Sequence, residues 1–167
     1  MSDTSFKTLQ PEFEHLAEKK LVGISLEMSL AHNLTHELFS TFMPRRQEIP
    51  NALNTFVYAL QVYPKAYFMK FEPSRRFKKY ALIEVADYDK VPEQMEQFTL
   101  PEGGYAVFTQ RGKDAGFEVF DYIFTKWLPN SKYLLDDRPH FEKIIGNKDK
   151  SDTDISELIY IPVRPKN

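Results

Sequence analysis

"IFTKWLP" occupies residues 123–129, and "LFSTFMP" occupies residues 38–44, 85 positions earlier. Aligned, Ile123 meets Leu38, Phe124 meets Phe39 and Thr125 meets Ser40; Trp127 then meets Phe42, Leu128 meets Met43 and Pro129 meets Pro44. Both phrases end on a proline, which lacks a backbone donor and disfavours helical geometry in the residue before it. A chain that writes one aromatic, helix-ending phrase twice has two helices that stop and turn in the same way.

The flanking elements repeat as well. Around the first phrase, "KKLVGISLEMSL" (19–30) has the apolar, β-branched content of a strand, with Gly23 as a candidate bulge. "HNLTHELFSTFMPRRQEI" (32–49) switches to helical spacing through Leu34, Leu38 and Phe42, with Asn33 or Thr35 as its cap. "NTFVYALQVY" (54–63) alternates Phe56/Tyr58/Leu60/Val62 with Val57/Ala59/Gln61/Tyr63, two fairly apolar sets that suit a strand covered on both faces. "KYALIEVADY" (79–88) follows, after a basic stretch read as loop. In the second half, "GYAVFTQRG" (104–112) predicts a strand closed by Gly112, and "DAGFEVFDYIFTKWL" (114–128) a helix capped by Asp114. A strand within 132–145 is interrupted near Pro139, and "ELIYIPV" (157–163) is the last.

Each half therefore reads strand–helix–strand–strand. The predicted fold is α+β: two duplicated modules, about 19–88 and 103–163, forming an antiparallel sheet with two main helices on one face and a cleft between modules. Residues 1–18 read as a loose lead-in, 89–103 as a crossover and 164–167 as a tail, around a single domain at 19–163. Interfaces between repeats are where pockets form.

Composition narrows the function. The 167 residues are 42% hydrophobic and 14% aromatic, enough for a sizeable core and for aromatic-lined surfaces besides. Net charge is −2, so the chain as a whole advertises neither a nucleic-acid nor an anionic-membrane partner. The absence of cysteine excludes disulfides, thiol nucleophiles and thiolate metal sites. The polar N-terminus is unlike a signal peptide, and no apolar run reaches the roughly 18 residues that span a bilayer. A soluble cytoplasmic protein is expected, with no membrane segment.

Metal and cofactor motifs are weak. His32 and His36 stand four apart near a helix start but lack a third ligand in pattern, so a solvated face is expected. "DKSDTDISE" (149–157) lacks the central glycine of a calcium loop, and "RRFKK" (75–79) reads as a solvated basic loop. No glycine-rich phosphate loop or nucleophile elbow is present. No metal and no cofactor are expected.

"GGYAVFTQRG" (103–112), "FDYIFTKWLPNSKYLLDDRPHFEKI" (120–144) and "ELIYIPV" (157–163) resemble the GyrI-like small-molecule-binding domain, the effector-binding domain of AraC-type and multidrug-responsive regulators. "FMPRRQEIPN" (42–51) and "FKKYALIEVADYDKVPEQMEQFTLPEG" (77–103) carry the resemblance into the first half, so that it covers roughly residues 15–163. It implies the duplicated fold, an aromatic-lined cleft between modules and a central glutamate, which by motif is Glu142, with Trp127 as the family's tryptophan. Gln94 stands where related sequences often have glycine, and Gln110 where they often have histidine. The chain shows no additional segment of the ~50–60 residues that a helix-turn-helix domain needs. It thus resembles a stand-alone form, and direct nucleic-acid binding is not expected.

The residues themselves point to the same glutamate. In "HFEKI", strand alternation puts Glu142 on the face of His140 and Ile144. A carboxylate among apolar neighbours is costly unless paired. A cationic ligand would supply the charge, and aromatic faces would add about 0.5–2 kcal/mol each. Trp127 sits at a spacing that also suits core packing. Tyr58 and Tyr160 fall in the middle of strands of opposite modules and are expected to bring their hydroxyls to the cleft. Phe39 completes the candidate ligand contacts. The expected function is a sensor or sequestering module for amphipathic ligands, cationic or planar aromatic. The resemblance also implies an alternative, hydrolysis of reactive electrophiles such as cyclopropane-bearing alkylating agents with Glu142 as general acid or base. The gyrase inhibition behind the family's name raises a protein partner, for which this sequence offers no support.

Overall fold

The computed structural model describes residues 9–111, 117–145 and 155–166. Among the described residues nine strands form the sheet: β1 (Glu12–Leu16), β2 (Lys19–Ser29), β3 (Val57–Val62), β4 (Arg76–Glu84), β5 (Glu96–Leu100), β6 (Gly103–Arg111), β7 (Tyr133–Leu135), β8 (His140–Ile144) and β9 (Ile155–Pro165). Helix α1 spans Thr35–Phe42 and helix α2 spans Phe117–Tyr122. All pairings are antiparallel, in the order β1-β6-β9-β8-β3-β4-β2-β5, with β7 added to β9.

That order is a palindrome of modules. β5-β2-β4-β3 makes one half and β1-β6-β9-β8 the other, so β3 and β8 meet at the pseudo-two-fold centre. Residues 12–16, expected as part of a loose lead-in, and 96–100, expected as crossover, are the two outermost strands. Each precedes the first long strand of one module yet pairs with that of the other: β1 with β6, and β5 with β2. Residues 17–18 and 101–102 are the only connections, and three Cα steps reach about 11 Å at most. The sheet must therefore curl until its ends approach each other.

Curling divides the apolar residues between two faces. The inner face holds Leu21, Tyr58, Leu60, Tyr80, Leu82, Leu100, Tyr105 and Phe141, and the outer face carries the helices. Leu38 and Phe42 of α1 pack with Val22, Val57, Ala81 and Ile83, and Ile123 after α2 packs with Ala106, Phe108, Ile159 and Ile161. Among the described residues no helix is long and apolar enough to cross a membrane.

The duplicated phrase closes its helix differently in each module. In the first, the α-helix tightens to 3-10 geometry over Met43–Glu48, with Pro44 in its first turn. In the second it widens to a π-turn over Ile123–Trp127, closed by the Leu128 N–H donating to the Ile123 carbonyl at 2.8 Å. Leu34 is the N-cap of α1, without a side-chain cap bond; Asn33 instead accepts from the Thr35 N–H at 2.9 Å. Pro139 separates β7 from β8, and both pair with β9.

Several local expectations need correction. Gly23 is not a bulge, because β2 runs in unbroken register with β4 from Leu21 to Ser29. Its missing side chain is required by the close backbone of Ala81. Arg76 to Lys79 are not loop: they open β4, where Arg76 meets Glu27 at 3.0 Å and Lys78 meets Glu96 at 3.9 Å. Gln94 has φ 68, a left-handed backbone that glycine adopts without strain. Asp114, Gly112 and most of the polar loop before β9 lie outside the described residues.

Candidate functional site

The register across β3 and β8 builds the floor of a site. Glu142 stands opposite Ala59 of β3 on one side and Ile159 of β9 on the other, and Ala81 of β4 follows Ala59. Both alanines are buried, and Ala81 packs in the cluster of Leu38 and Phe42 under α1. One rung along, His140 pairs with Gln61, and Gln61 with Lys79. Glu142, Gln61, His140 and Lys79 therefore share one face at the junction of the modules, because residues two apart on a strand point the same way.

Aromatic rings wall this floor. Beyond Gln61, Tyr63 meets His140 edge-on at 4.9 Å and packs on Tyr67 at 4.6 Å and Phe77 at 5.1 Å. The short 3-10 segment Tyr67–Met69 brings Phe68 over the junction, stacked at 5.2 Å on His140 and at 5.3 Å on Phe124 after α2. Phe68 and Phe124 thus join a loop of the first module to the helical segment of the second. The loop enters its turn through Ala66 at φ 64, a left-handed conformation uncommon for a residue with a side chain. A cavity of about 480 Å³ opens at the His140 end, walled by Tyr63, Tyr67, Phe68, Asp136 and Arg138. Glu142 lies one alternate position beyond His140 and does not line it.

Electrostatics single out Glu142. Glu142 as a residue is half-buried. Burial pushes its carboxyl up to about 7, and Glu157 adds to the rise, against the opposing Lys79 charge and a Gln61 hydrogen bond. Among the described residues no salt bridge reaches it. Lys79 spends its ammonium on the Thr35 hydroxyl, at 3.2 Å. Burial, with the Arg138 charge second, drives His140 down to about 3, so its imidazole is neutral. Burial and then the Glu142 charge push the Tyr63 hydroxyl up, so it stays protonated. The result is an unpaired carboxyl set among neutral rings.

The other expected contacts are distributed differently. Phe39 is half-buried in the same helix-side cluster as Tyr63, Tyr67 and Ile144. Tyr58 and Tyr160 lie on the opposite face from Glu142. Each is one register step out of phase, since Tyr58 precedes Ala59 and Tyr160 pairs with Phe141. Both are buried in the inner core, where Phe141 stacks on Tyr160 at 4.4 Å and the Tyr58 hydroxyl donates to Glu84 at 3.2 Å. Their hydroxyls do not enter the cleft. Trp127 packs against Phe108 at 5.1 Å, with Phe13 and Tyr133 nearby, among the outer strands of the second module. Phe124, three residues earlier, takes the position at the cleft. His36 hydrogen-bonds Ser40 at 3.3 Å, and among the described residues no three metal-binding side chains converge.

Gln61, Tyr63, Phe68, Phe124 and His140 were not singled out by sequence reasoning as site residues. Gln61 and Tyr63 were visible as one face of "NTFVYALQVY", together with Ala59. What was missing was the register tying that face to Glu142.

Comparison with known proteins agrees with this architecture. The model of the GyrI-like small molecule binding domain matches residues 9–164. Among solved structures, SAV2435 bound to tetraphenylphosphonium is 16% identical with a TM-score of 0.68, over 93% of this chain and 94% of that one. The C-terminal domain of EcmrR is 13% identical with a TM-score of 0.69, over 95% and 99%. A hydrolase from Listeria innocua is 8% identical with a TM-score of 0.59, over 97% and 96%. No curated protein sequence matches. At such identities the structures attest to a shared fold, whereas the family model covers nearly the whole chain. From Leu9 to Arg164 the chain belongs to the GyrI-like family of small-molecule binding domains.

Proposed function

We propose that the chain binds an amphipathic aromatic cation at the module junction, with Glu142 as its counter-charge. The observation that carries this reading is the carboxyl of half-buried Glu142, which no salt bridge reaches among the described residues, two positions along β8 from His140, on which Phe68 and Phe124 stack and which Tyr63 meets edge-on. A cation supplies the charge that the fold withholds, and ring faces attract it further. The SAV2435 structure holds a cation of this chemistry, which supports the class. Phe39 completes the wall on the α1 side.

Equilibrium titration with tetraphenylphosphonium and with neutral triphenylphosphine oxide tests the proposal. For the cation, Glu142→Gln is expected to cost about 3 kcal/mol, on the order of a hundredfold in Kd at pH near 8. The neutral ligand is expected to change little. Equal losses for both ligands would remove the electrostatic role.

One observation favours a second reading. A carboxyl pushed up to about 7 exchanges protons near neutrality, as a general acid or base must. Glu142 would then activate water against an electrophilic ring, with the protonated Tyr63 hydroxyl as donor to the leaving group. Mass spectrometry of a cyclopropane electrophile incubated with the protein separates the two: recovery of unchanged ligand removes hydrolysis.

A further inference from the structure

We propose that the loop Tyr67–Phe71 docks the protein on an anionic phospholipid surface. Phe68, Met69 and Phe71 are 44%, 83% and 75% exposed, the last two more than any other large hydrophobic side chain described. Leu30 and Leu53, also half or more exposed, are not part of such a run. Three large apolar side chains within four residues form a protrusion that water disfavours.

This protrusion is held in place. The Tyr67 N–H donates to the Pro64 carbonyl at 3.0 Å and the Met69 N–H to the Ala66 carbonyl at 3.1 Å. Arg75 Nη1 donates to the Ala66 carbonyl at 3.3 Å. A loop tied at both flanks presents its apolar tip outward.

Charge selects the partner. Chain-wide the net charge is −2, yet residues 65–75 contain Lys65, Lys70 and Arg75 against a single acid, Glu72, while Arg76 and Lys78, further along in β4, are met by Glu27 and Glu96. Lys65, Lys70 and Arg75 flank the tip. The Lys70–Glu72 contact, at 3.5 Å with both groups exposed, is too weak to cancel the lysine. On the far side of the adjoining cavity, Asp136 is tied to Arg138 at 2.8 Å and to Arg164 at 3.7 Å, and Asp137 is the remaining acid. Apolar tips ringed by lysine and arginine are how proteins lie on anionic leaflets, each cation near the surface adding attraction. Self-association through this loop would bring its cations together. Single-stranded nucleic acid stacks on ring faces, and Met69, the most exposed side chain here, has none.

Docking would turn the mouth of the cleft toward the bilayer, because Phe68 belongs to both the loop and the aromatic wall. The docking stands on the loop alone. That the bilayer supplies the ligand rests on the cation-binding reading, since amphipathic aromatic cations partition into membranes.

Flotation with vesicles, without ligand, tests the proposal. Phosphatidylcholine vesicles containing about one-third phosphatidylglycerol are expected to carry the protein at low salt, and pure phosphatidylcholine vesicles at least tenfold less. Phe71→Asp and the double variant Lys65→Glu/Lys70→Glu, checked for native circular dichroism, are each expected to lose about tenfold or more of that binding. Absence of binding to the anionic vesicles overturns the proposal, as does undiminished binding by Phe71→Asp. So does a concentration-dependent dimer, or retention on a single-stranded oligonucleotide, that Phe71→Asp abolishes while vesicle binding stays weak.

Discussion

Gly23→Ala is expected to destabilise the fold by more than about 3 kcal/mol, the range of severe overpacking. An added Cβ would run into the carbonyl oxygen of Ala81 and lie 2.9 Å from both the Ala81 carbonyl carbon and the Leu82 Cα. All three atoms are backbone, so no rotamer change relieves the contact. Relief requires β2 and β4 to separate, and β2 also holds β5 at this point through the Gly23–Glu96 pair. Leu21 and Val22, immediately before it, are core residues on opposite faces of the sheet. Separation here would therefore loosen both layers of the first module. Urea denaturation measures the loss. A midpoint unchanged from wild type would mean that the strands have slack the structure does not show.

Glu142→Gln is expected to have opposite consequences for binding and for stability. In the unfolded chain the carboxyl titrates near its ordinary value of 4.5, and in the fold burial holds it up to about 7. Between these values the folded state keeps a proton that the unfolded state has released. Raising pH through that window therefore favours unfolding: the stability is fully present below about 4.5 and is lost as pH passes about 7. The shift corresponds to on the order of 2–3 kcal/mol between about pH 5 and about pH 8. Glutamine neither titrates nor carries charge. The difference in unfolding free energy, variant minus wild type, is expected to grow by that amount across the window, making the variant the more stable protein under alkaline conditions. A difference that stays flat with pH would place the Glu142 titration at its ordinary value in the fold.

The two results together describe a carboxylate that costs the fold stability and becomes useful when a cation arrives. Gln61 gives it one hydrogen bond, and the Lys79 ammonium is engaged with Thr35. A full ion pair would remove the penalty and also the attraction for a ligand.

The duplicated modules were legible because their signals are local. A helix that ends on Phe-Met-Pro or Trp-Leu-Pro announces its stop in three residues, and the long strands carry dense apolar runs. The outermost strands were not legible. "EFEHL" and "EQFTL" each carry only two apolar residues among three polar ones, and the first lies beside Pro11 and the second before Pro101, which reads as loop. Their crossed pairing, which curls the sheet, depends on contacts far apart in sequence. The shared face of Glu142, His140 and Ile144 was legible because alternation within one strand fixes it. Tyr58 and Tyr160 were misplaced because alternation gives two faces for each strand, while only the register between strands says which face they share. Trp127 drew attention as the single tryptophan, yet the turn of helix that faces the junction carries Phe124.

Calorimetry of phosphonium binding at about pH 6, in two buffers that differ in ionisation enthalpy, tests the central claim most directly. With a Glu142 carboxyl near 7, most molecules hold its proton at that pH, and a bound cation expels it. The account predicts release of close to one proton per cation bound by the wild type and none by Glu142→Gln. Binding by the wild type with no proton released would contradict it, since the cation would then be held without ionising the glutamate.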